Sequence, residues 1–231
     1  MAVTIEELAS SLLFQGLKRE SLELVSQNSR ERVYKSGSTI MYQSDPGDNF
    51  LLILNGTVKV SVQMPDGDEV FLAILAAGDT VGEMTMIDTN PRSADVSAQE
   101  QTRVLILDRV LFNKLVETET NFMKNMMRIL SRRLRVANMR IQAHCTLDTF
   151  GLVAFQIVEF ADLYGKKTES GDIIIPIRLT QSDIATLAGA SRERVNQVMV
   201  SFKKSGVISS DSGFHITVHK IDDLRKRISA A

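Results

Sequence analysis

From Val110 to His144 the chain contains neither glycine nor proline, and its apolar residues keep helical spacing. Such a stretch predicts one long helix over 110–144. Within it Met123, Met127, Leu130, Leu134, Ala137, Ile141 and His144 recur at intervals of 4, 3, 4, 3, 4 and 3. That is the a/d stripe of a two-stranded coiled coil, in which each apolar knob needs a hole on a facing helix. Phe122, Met126, Ile129 and Val136 form a second apolar line. Two separate stripes call for two partners, so the expectation is a homodimer seam on one side and a packed domain on the other. The plainer alternative is a single wide core face.

The rest of the chain must supply that domain. At 231 residues, with 44% hydrophobic and 24% charged residues, it suits one large domain or two small ones with a real core. No apolar run approaches the ~18 residues of a membrane span. The start, Met1-Ala2-Val3-Thr4-Ile5-Glu6-Glu7, has no basic segment ahead of an apolar one. The expectation is a cytoplasmic protein with no membrane partner. One cysteine, Cys145, excludes a disulfide framework and an all-cysteine metal site.

Charge is informative as a map. The net charge is −1, yet Asn121 to Ala143 carries Lys124, Arg128, Arg132, Arg133, Arg135 and Arg140 with no acid. A helix of that kind is either a solvated face or a neighbour for an anionic ligand or phosphate backbone.

The first thirty residues read as short helices, with Leu8, Leu12, Leu13, Leu17, Leu22 and Val25 near helical spacing. From Val33 to Leu107 the texture becomes short β runs: Thr39 to Tyr42, Phe50 to Leu54, Thr57 to Met64 and Val70 to Leu75. Between them stand Ser44-Asp45-Pro46-Gly47-Asp48, Asn55-Gly56, Pro65-Asp66-Gly67-Asp68 and Ala77-Gly78-Asp79. Short strands with Gly and Asp punctuation predict an antiparallel barrel or roll.

Beyond a hinge at Cys145 to Asp148, a helix is expected over Phe150 to Tyr164, then a polar loop from Gly165 to Gly171 and a strand from Ile173 to Ile177. Next, Thr180 and Asp183 form a variant capping box that opens a short helix. Ile184 and Leu187 give that helix its apolar face, Ala185 leaves room for a crossing helix, and Gly189 makes a turn. Ser191 caps a second helix with Val195, Val198, Met199 and Phe202 inward. This is a helix-turn-helix, and Arg192 and Glu193 stand where a recognition helix meets the major groove. Val207-Ile208 and Phe214 to Val218, around Ser210-Asp211-Ser212-Gly213, read as a β-hairpin wing. A generic helical bundle with a surface Arg–Glu pair is the alternative.

Val81-Gly82-Glu83-Met84 follows a turn, and ten residues after Gly82 stands Arg92-Ser93. Glycine lets backbone approach a ligand, Arg and Ser suit phosphate oxygens, and Glu accepts from a hydroxyl. Alone, these residues read by default as a turn with a surface Arg–Glu pair. Three runs together, however, resemble a known family: Ile40-Met41-Tyr42-Gln43-Ser44-Asp45-Pro46-Gly47-Asp48, Val81-Gly82-Glu83-Met84 with Arg92-Ser93-Ala94-Asp95-Val96, and Ala190-Ser191-Arg192-Glu193-Arg194-Val195. They are similar to the bacterial cyclic AMP receptor protein (Crp/Fnr) regulators, over essentially the whole chain.

The resemblance implies an α+β chain. It would hold a cyclic-nucleotide-binding-like β-roll (a double-stranded β-helix or jelly roll) over 1–109, a dimerisation helix and hinge over 110–145, and a winged helix-turn-helix over 146–231. It implies a ligand site of Gly82, Glu83, Met84, Arg92, Ser93, Ala137 and Asn138, with Arg92 and Ser93 on the cyclic phosphate and Glu83 on the ribose. On the DNA side it implies Thr180, Gln181, Ser191, Arg192, Glu193, Asn196 and Gln197. The effector would be cyclic AMP or a related cyclic nucleotide, with no covalent cofactor. The partners would be palindromic double-stranded DNA, RNA polymerase and a second copy of the chain.

Departures from the family pattern accompany the resemblance. Ala137 and Asn138 stand where relatives place a Thr-Ser pair against adenine, Ser44 where Gly is usual, Thr85 where a smaller residue is usual, and Gln197 where a third base-reading Arg is found. A regulator that acts without a ligand, or with cyclic di-GMP, is therefore the alternative. No nucleophile–base pair or metal cluster is visible, so no catalytic or metal site is expected. Cys145, His144, His215 and His219 are read as structural.

Overall fold

The computed structural model describes residues 3–65, 67 and 69–229. They form two compact units, Met1–Arg135 and Val136–Ala231. Asp66 and Asp68 of the expected Pro65–Asp68 turn, and Met1 and Ala2 of the expected N-terminal pattern, lie outside the described residues.

The first unit opens with α1 (Ile5–Ser10), capped by Thr4, a 3-10 turn (Leu12–Phe14) and α2 (Arg19–Asn28). Five strands follow: β1 (Arg30–Tyr34), β2 (Thr39–Met41), β3 (Asn49–Asn55), β4 (Thr57–Gln63) and β5 (Glu69–Ala76). Then come β6 (Thr80–Val81), α3 (Glu83–Asp88), β7 (Asp95–Ala98), β8 (Thr102–Asp108), α4 (Arg109–Thr118) and α5 (Thr120–Thr146). The strands make two four-stranded sheets, β1-β8-β3-β6 and β2-β7-β4-β5, antiparallel throughout. This is the expected roll.

The β3 sequence explains how the roll meets the helices. Phe50-Leu51-Leu52-Ile53 is buried on both faces, because successive side chains leave a strand on opposite sides. Leu51 and Ile53 enter the roll interior with Val58, Val81, Val96 and Val104. Phe50 and Leu52 turn the other way, onto a core shared with Phe14, Leu22, Phe112, Phe122, Met126 and Ile129. Phe112 meets Phe50 and Phe122 edge-on at centroid distances of 5.6 and 5.8 Å, the favoured aromatic geometry.

The expected single helix over 110–144 is in fact two. Glu119, with φ −123° and ψ 91°, leaves helical geometry between α4 and α5. It is buried, and its carboxylate accepts from the Ser21 hydroxyl of α2. The break thus sits where a tertiary contact forms, with no glycine or proline to announce it. Asn121 and Asn125 then anchor α5, donating to the carbonyls of Gly16 (2.7 Å), Leu13 (3.1 Å) and Gln15 (2.8 Å).

The two stripes on α5 are less cleanly divided than the spacing suggests. Phe122, Met126 and Ile129 are buried in the first unit, as expected of the packed line. Val136 instead belongs to the second unit, where it lines a cavity of about 330 Å³ with Met139, Phe155 and Val158. Of the other stripe, Met123 and Leu130 are partly buried against the first unit's core. Met127, Leu134 and Ile141 are 57%, 63% and 65% exposed.

The second unit is built on α6 (Thr149–Tyr164), whose N-terminus is capped by Asp148 accepting from the Gly151 amide at 2.8 Å. Around it stand β9 (Lys166–Lys167), β10 (Ile173–Ile175), α7 (Gln181–Leu187), α8 (Arg192–Lys204), β11 (Ile208–Ser210), β12 (Ile216–Val218) and α9 (Ile221–Ser229). The strands form one antiparallel sheet in the order β11-β12-β10-β9. Strand β9 lies in the segment read as loop, where two exposed lysines give no apolar signal. Arg140, near the end of α5, grips Glu159 of α6 through two hydrogen bonds, of 3.0 and 2.5 Å.

Candidate functional site

In the first unit the β6–α3 turn and the segment before β7 bring Gly82, Glu83, Met84, Arg92 and Ser93 together. Gly82 has φ +81°, a left-handed conformation that favours glycine. A Cβ there would stand 2.4 Å from an Arg92 guanidinium nitrogen. A Cβ on Gly47 would stand 2.8 Å from the Arg92 Cζ and 2.5 Å from the Thr85 methyl. Two glycines thus make the room that the arginine fills. Thr85, bulkier than the family pattern, is accommodated because residue 47 has no side chain.

Arg92 is buried, 7% exposed. It donates to the Gly82 carbonyl (2.9 Å), the Asn49 carbonyl (2.7 Å) and Asn49 Oδ1 (3.3 Å). A guanidinium has five N–H groups, so these contacts leave it spare donors. Desolvation lowers its pKa from the usual guanidinium value, opposed by the nearby carboxylates of Asp48, Glu83 and Asp45. It stays a cation in either case. The Ser93 hydroxyl lies 3.7 Å from the Met84 sulfur.

Glu83 is also buried, 3% exposed. Its Oε1 accepts from Arg133 of α5 at 2.6 Å, and Arg133 also donates to the Thr80 carbonyl at 2.5 Å. Its Oε2 is buried with no hydrogen-bond partner. A buried carboxylate oxygen without a donor is costly and marks a place where a donor belongs. Beside this pair, Arg132 reaches Asp79 at 3.4 Å.

Sequence reasoning noted the basic run on α5 but not these partners, nor Asn49, nor Arg109. Arg109 donates to the carbonyls of Gly47 (2.8 Å) and Thr85 (3.0 Å), stitching the two loops under the site. Ser44 takes φ +67°, which accounts for glycine being usual at that position. Ala137 and Asn138 are exposed on α5 and belong to the second unit. The first unit by itself assembles five of the seven expected ligand residues.

In the second unit the capping box is present: the Thr180 hydroxyl accepts from the Asp183 amide (3.2 Å), and Asp183 Oδ2 accepts from the Thr180 amide (2.8 Å). The Thr180 hydroxyl also donates to Asp183 at 2.6 Å, so its hydrogen bonding is local. Gly189 turns the chain at φ +59°, with the His144 ring against it, and the Ala190 amide closes on the Ala185 carbonyl at 3.0 Å. Ser191 caps α8 through the Arg194 amide.

Val195, Val198, Met199 and Phe202 are buried, which leaves Arg192, Glu193, Asn196 and Gln197 on the exposed face. Arg194 is exposed as well. Gln181 at the start of α7 donates to Asn196 of α8 at 2.9 Å. The wing hairpin forms with Ile208 opposite Val218. His215 pairs with Asp211 (2.8 Å), and His219 with Ser209 (2.9 Å) and Asp172 (3.1 Å). Among the described residues no three His, Cys, Asp or Glu are placed to hold a metal ion, and no helix is long and apolar enough to cross a membrane.

Comparison with known proteins agrees with this division. Residues 31–119 match the cyclic nucleotide-binding domain family, and residues 153–227 match the Crp-like helix-turn-helix domain. The chain is 30% identical over 203 residues to the CRP-like cAMP-activated global transcriptional regulator of Mycobacterium tuberculosis, covering 88% of this chain and 90% of the relative. It is equally 30% identical, over 203 residues with the same shares, to the cyclic AMP receptor protein of Thermus thermophilus. The crystal structure of the Thermus thermophilus catabolite activator protein is 28% identical, with a TM-score of 0.53 over 95% of this chain and 99% of that one. A nucleotide-type cassette ahead of a winged helix-turn-helix, in a chain whose relatives are regulators and not enzymes, has one reading: this protein is a transcription regulator of the Crp/Fnr family.

Proposed function

We propose that the chain is a homodimeric, sequence-specific DNA-binding regulator gated by a cyclic nucleotide, with cyclic AMP the first candidate. The observation that carries the ligand is Glu83 Oε2, buried without a donor beside the buried cation Arg92. A ribose hydroxyl supplies the donor. A cyclic phosphate supplies the anion that the spare guanidinium N–H groups and the Ser93 hydroxyl accommodate. The two relatives named for cyclic AMP favour that nucleotide over others. Ala137 and Asn138 would face the base, with the Asn138 amide pairing to a purine edge in place of a hydroxyl.

Exposed Met127, Leu134 and Ile141 support a seam with a second α5, since burying apolar residues at a/d spacing against a facing helix is favourable. Two copies of α8 would then meet two half-sites of a palindrome, with Ser191, Arg192, Glu193 and Gln197 toward the bases and RNA polymerase as the protein partner. A regulator of this kind would work in the cytoplasm, where bacterial DNA lies. Nucleotide would act by preferring one of two arrangements of the dimer.

A second reading, regulation without a ligand, is favoured by Arg92 itself. The guanidinium already has three acceptors within the chain, at Gly82 and Asn49, and Arg133 already occupies Glu83 Oε1. Calorimetric titration of the purified protein with cyclic AMP, cyclic GMP and cyclic di-GMP separates the readings. Saturable binding of cyclic AMP upholds the first, and no heat from any of the three upholds the second.

A further inference from the structure

We propose that Gln181 is a positioning residue for Asn196, and that Asn196, held by it, reads one A·T step of each half-site. The inference rests on the DNA-binding reading above and adds to it a specificity determinant that no single residue carries.

The pair comes from different helices. Gln181 is the first residue of α7, and Asn196 lies in the second turn of α8. Both are outside the core; Asn196 is on the face it shares with Arg192, Glu193 and Gln197. The Gln181 Nε2 group donates to Asn196 Oδ1 at 2.9 Å. Their backbones are held independently of this contact. The Thr180–Asp183 capping box fixes the start of α7, and buried Val195 and Val198 fix the rotation of α8 about its axis.

An exposed asparagine ordinarily rotates its amide freely and presents donor and acceptor in either order. Reading adenine bidentately requires one order: Oδ1 accepting from N6–H and Nδ2–H donating to N7. In the structure the Gln181 hydrogen bond matches that order, and reversing the Asn196 amide alone would set two NH2 groups face to face, so the order changes only if both amides turn together. An amide oxygen has two lone pairs, so Oδ1 keeps one for the base while Gln181 uses the other. Both Asn196 N–H donors remain available for N7. The ordering entropy of the Asn196 side chain is thus reduced before DNA arrives, which sharpens discrimination without adding a phosphate contact.

The test is selection from a random duplex library, followed by anisotropy titrations, with wild type, Gln181→Met, Asn196→Ala and the double variant. Methionine keeps the length of glutamine and removes its donor. Asn196→Ala is expected to flatten an A preference at one step per half-site, by roughly tenfold. Gln181→Met is expected to flatten the same step, with a loss on the selected half-site that exceeds any loss on unrelated duplex. The double variant is expected to match Asn196→Ala alone, since the glutamine acts only through the asparagine. Thermal unfolding of all four proteins at the same midpoint would show that the fold is intact.

A uniform loss across all sequences in Gln181→Met would mean a phosphate contact and would overturn the proposal. So would additive effects, or an Asn196→Ala variant whose selected half-site is unchanged. Wild type that binds no duplex, with or without saturating cyclic AMP, would overturn the DNA-binding reading itself, an outcome distinct from the other three.

Discussion

Arg133, in the middle of α5, donates to Glu83 Oε1 at 2.6 Å and so ties the long helix to the first residue of α3 across 50 positions of sequence. The Glu83 side chain is 4% exposed and that of Arg133 29%. The pair is sunk on its acidic side and reaches solvent on its basic side. Whatever binds at Glu83 therefore bears directly on the helix that carries the exposed Leu134, one residue further on.

Removing the cation tests that link. Arg133→Ala leaves a buried carboxylate with neither oxygen paired, and should destabilise the protein by about 2 kcal/mol. Urea unfolding reads the cost as a lower midpoint. Glu83→Gln in the same background should recover part of it, because a neutral amide tolerates burial better than an unpaired charge. Equal midpoints for wild type and Arg133→Ala would mean that the pair contributes nothing.

Gly82→Ala tests the close packing of the cassette. A Cβ at this position meets an Arg92 nitrogen at 2.4 Å in a backbone of φ +81°. The guanidinium must leave its seat, so cyclic-nucleotide binding should fall by at least tenfold while the unit stays folded. Unchanged affinity in calorimetry would show that the Arg92 placement is not the binding placement.

Leu134→Glu tests the seam. Leu134 is 63% exposed in a single chain, so glutamate costs a monomer little. In a dimer it would set two carboxylates near the twofold axis in a desolvated contact. Sedimentation should shift to monomer, and tight operator binding should vanish with it. A persistent dimer would refute the a/d assignment.

Much of the fold was legible because its causes are local. The period-two burial of Phe50 to Ile53, the Thr180–Asp183 box and the Gly189 turn are each dictated by residues within a few positions of one another. A resemblance marked Gly82, Glu83, Met84, Arg92 and Ser93, and the first unit brings these five residues together. What escaped was set by contacts distant in sequence. Glu119 leaves helical geometry with its carboxylate on Ser21, Arg92 is seated by Gly47 and Asn49, and Gln181 finds Asn196 across a turn. None of these has a periodicity or a spacing by which to be found.

The most direct measurement is fluorescence anisotropy of a labelled, library-selected palindrome titrated with wild-type protein, with and without saturating cyclic AMP. A gated regulator should bind the palindrome about tenfold more tightly with the nucleotide, a coupling of ~1.4 kcal/mol. Arg92→Ala should lose that gain, because the charge-assisted phosphate contact it removes is worth about 1.5–3 kcal/mol, or one to two decades of nucleotide affinity. The same operator affinity with and without cyclic AMP, in wild type and in Arg92→Ala alike, would contradict the account.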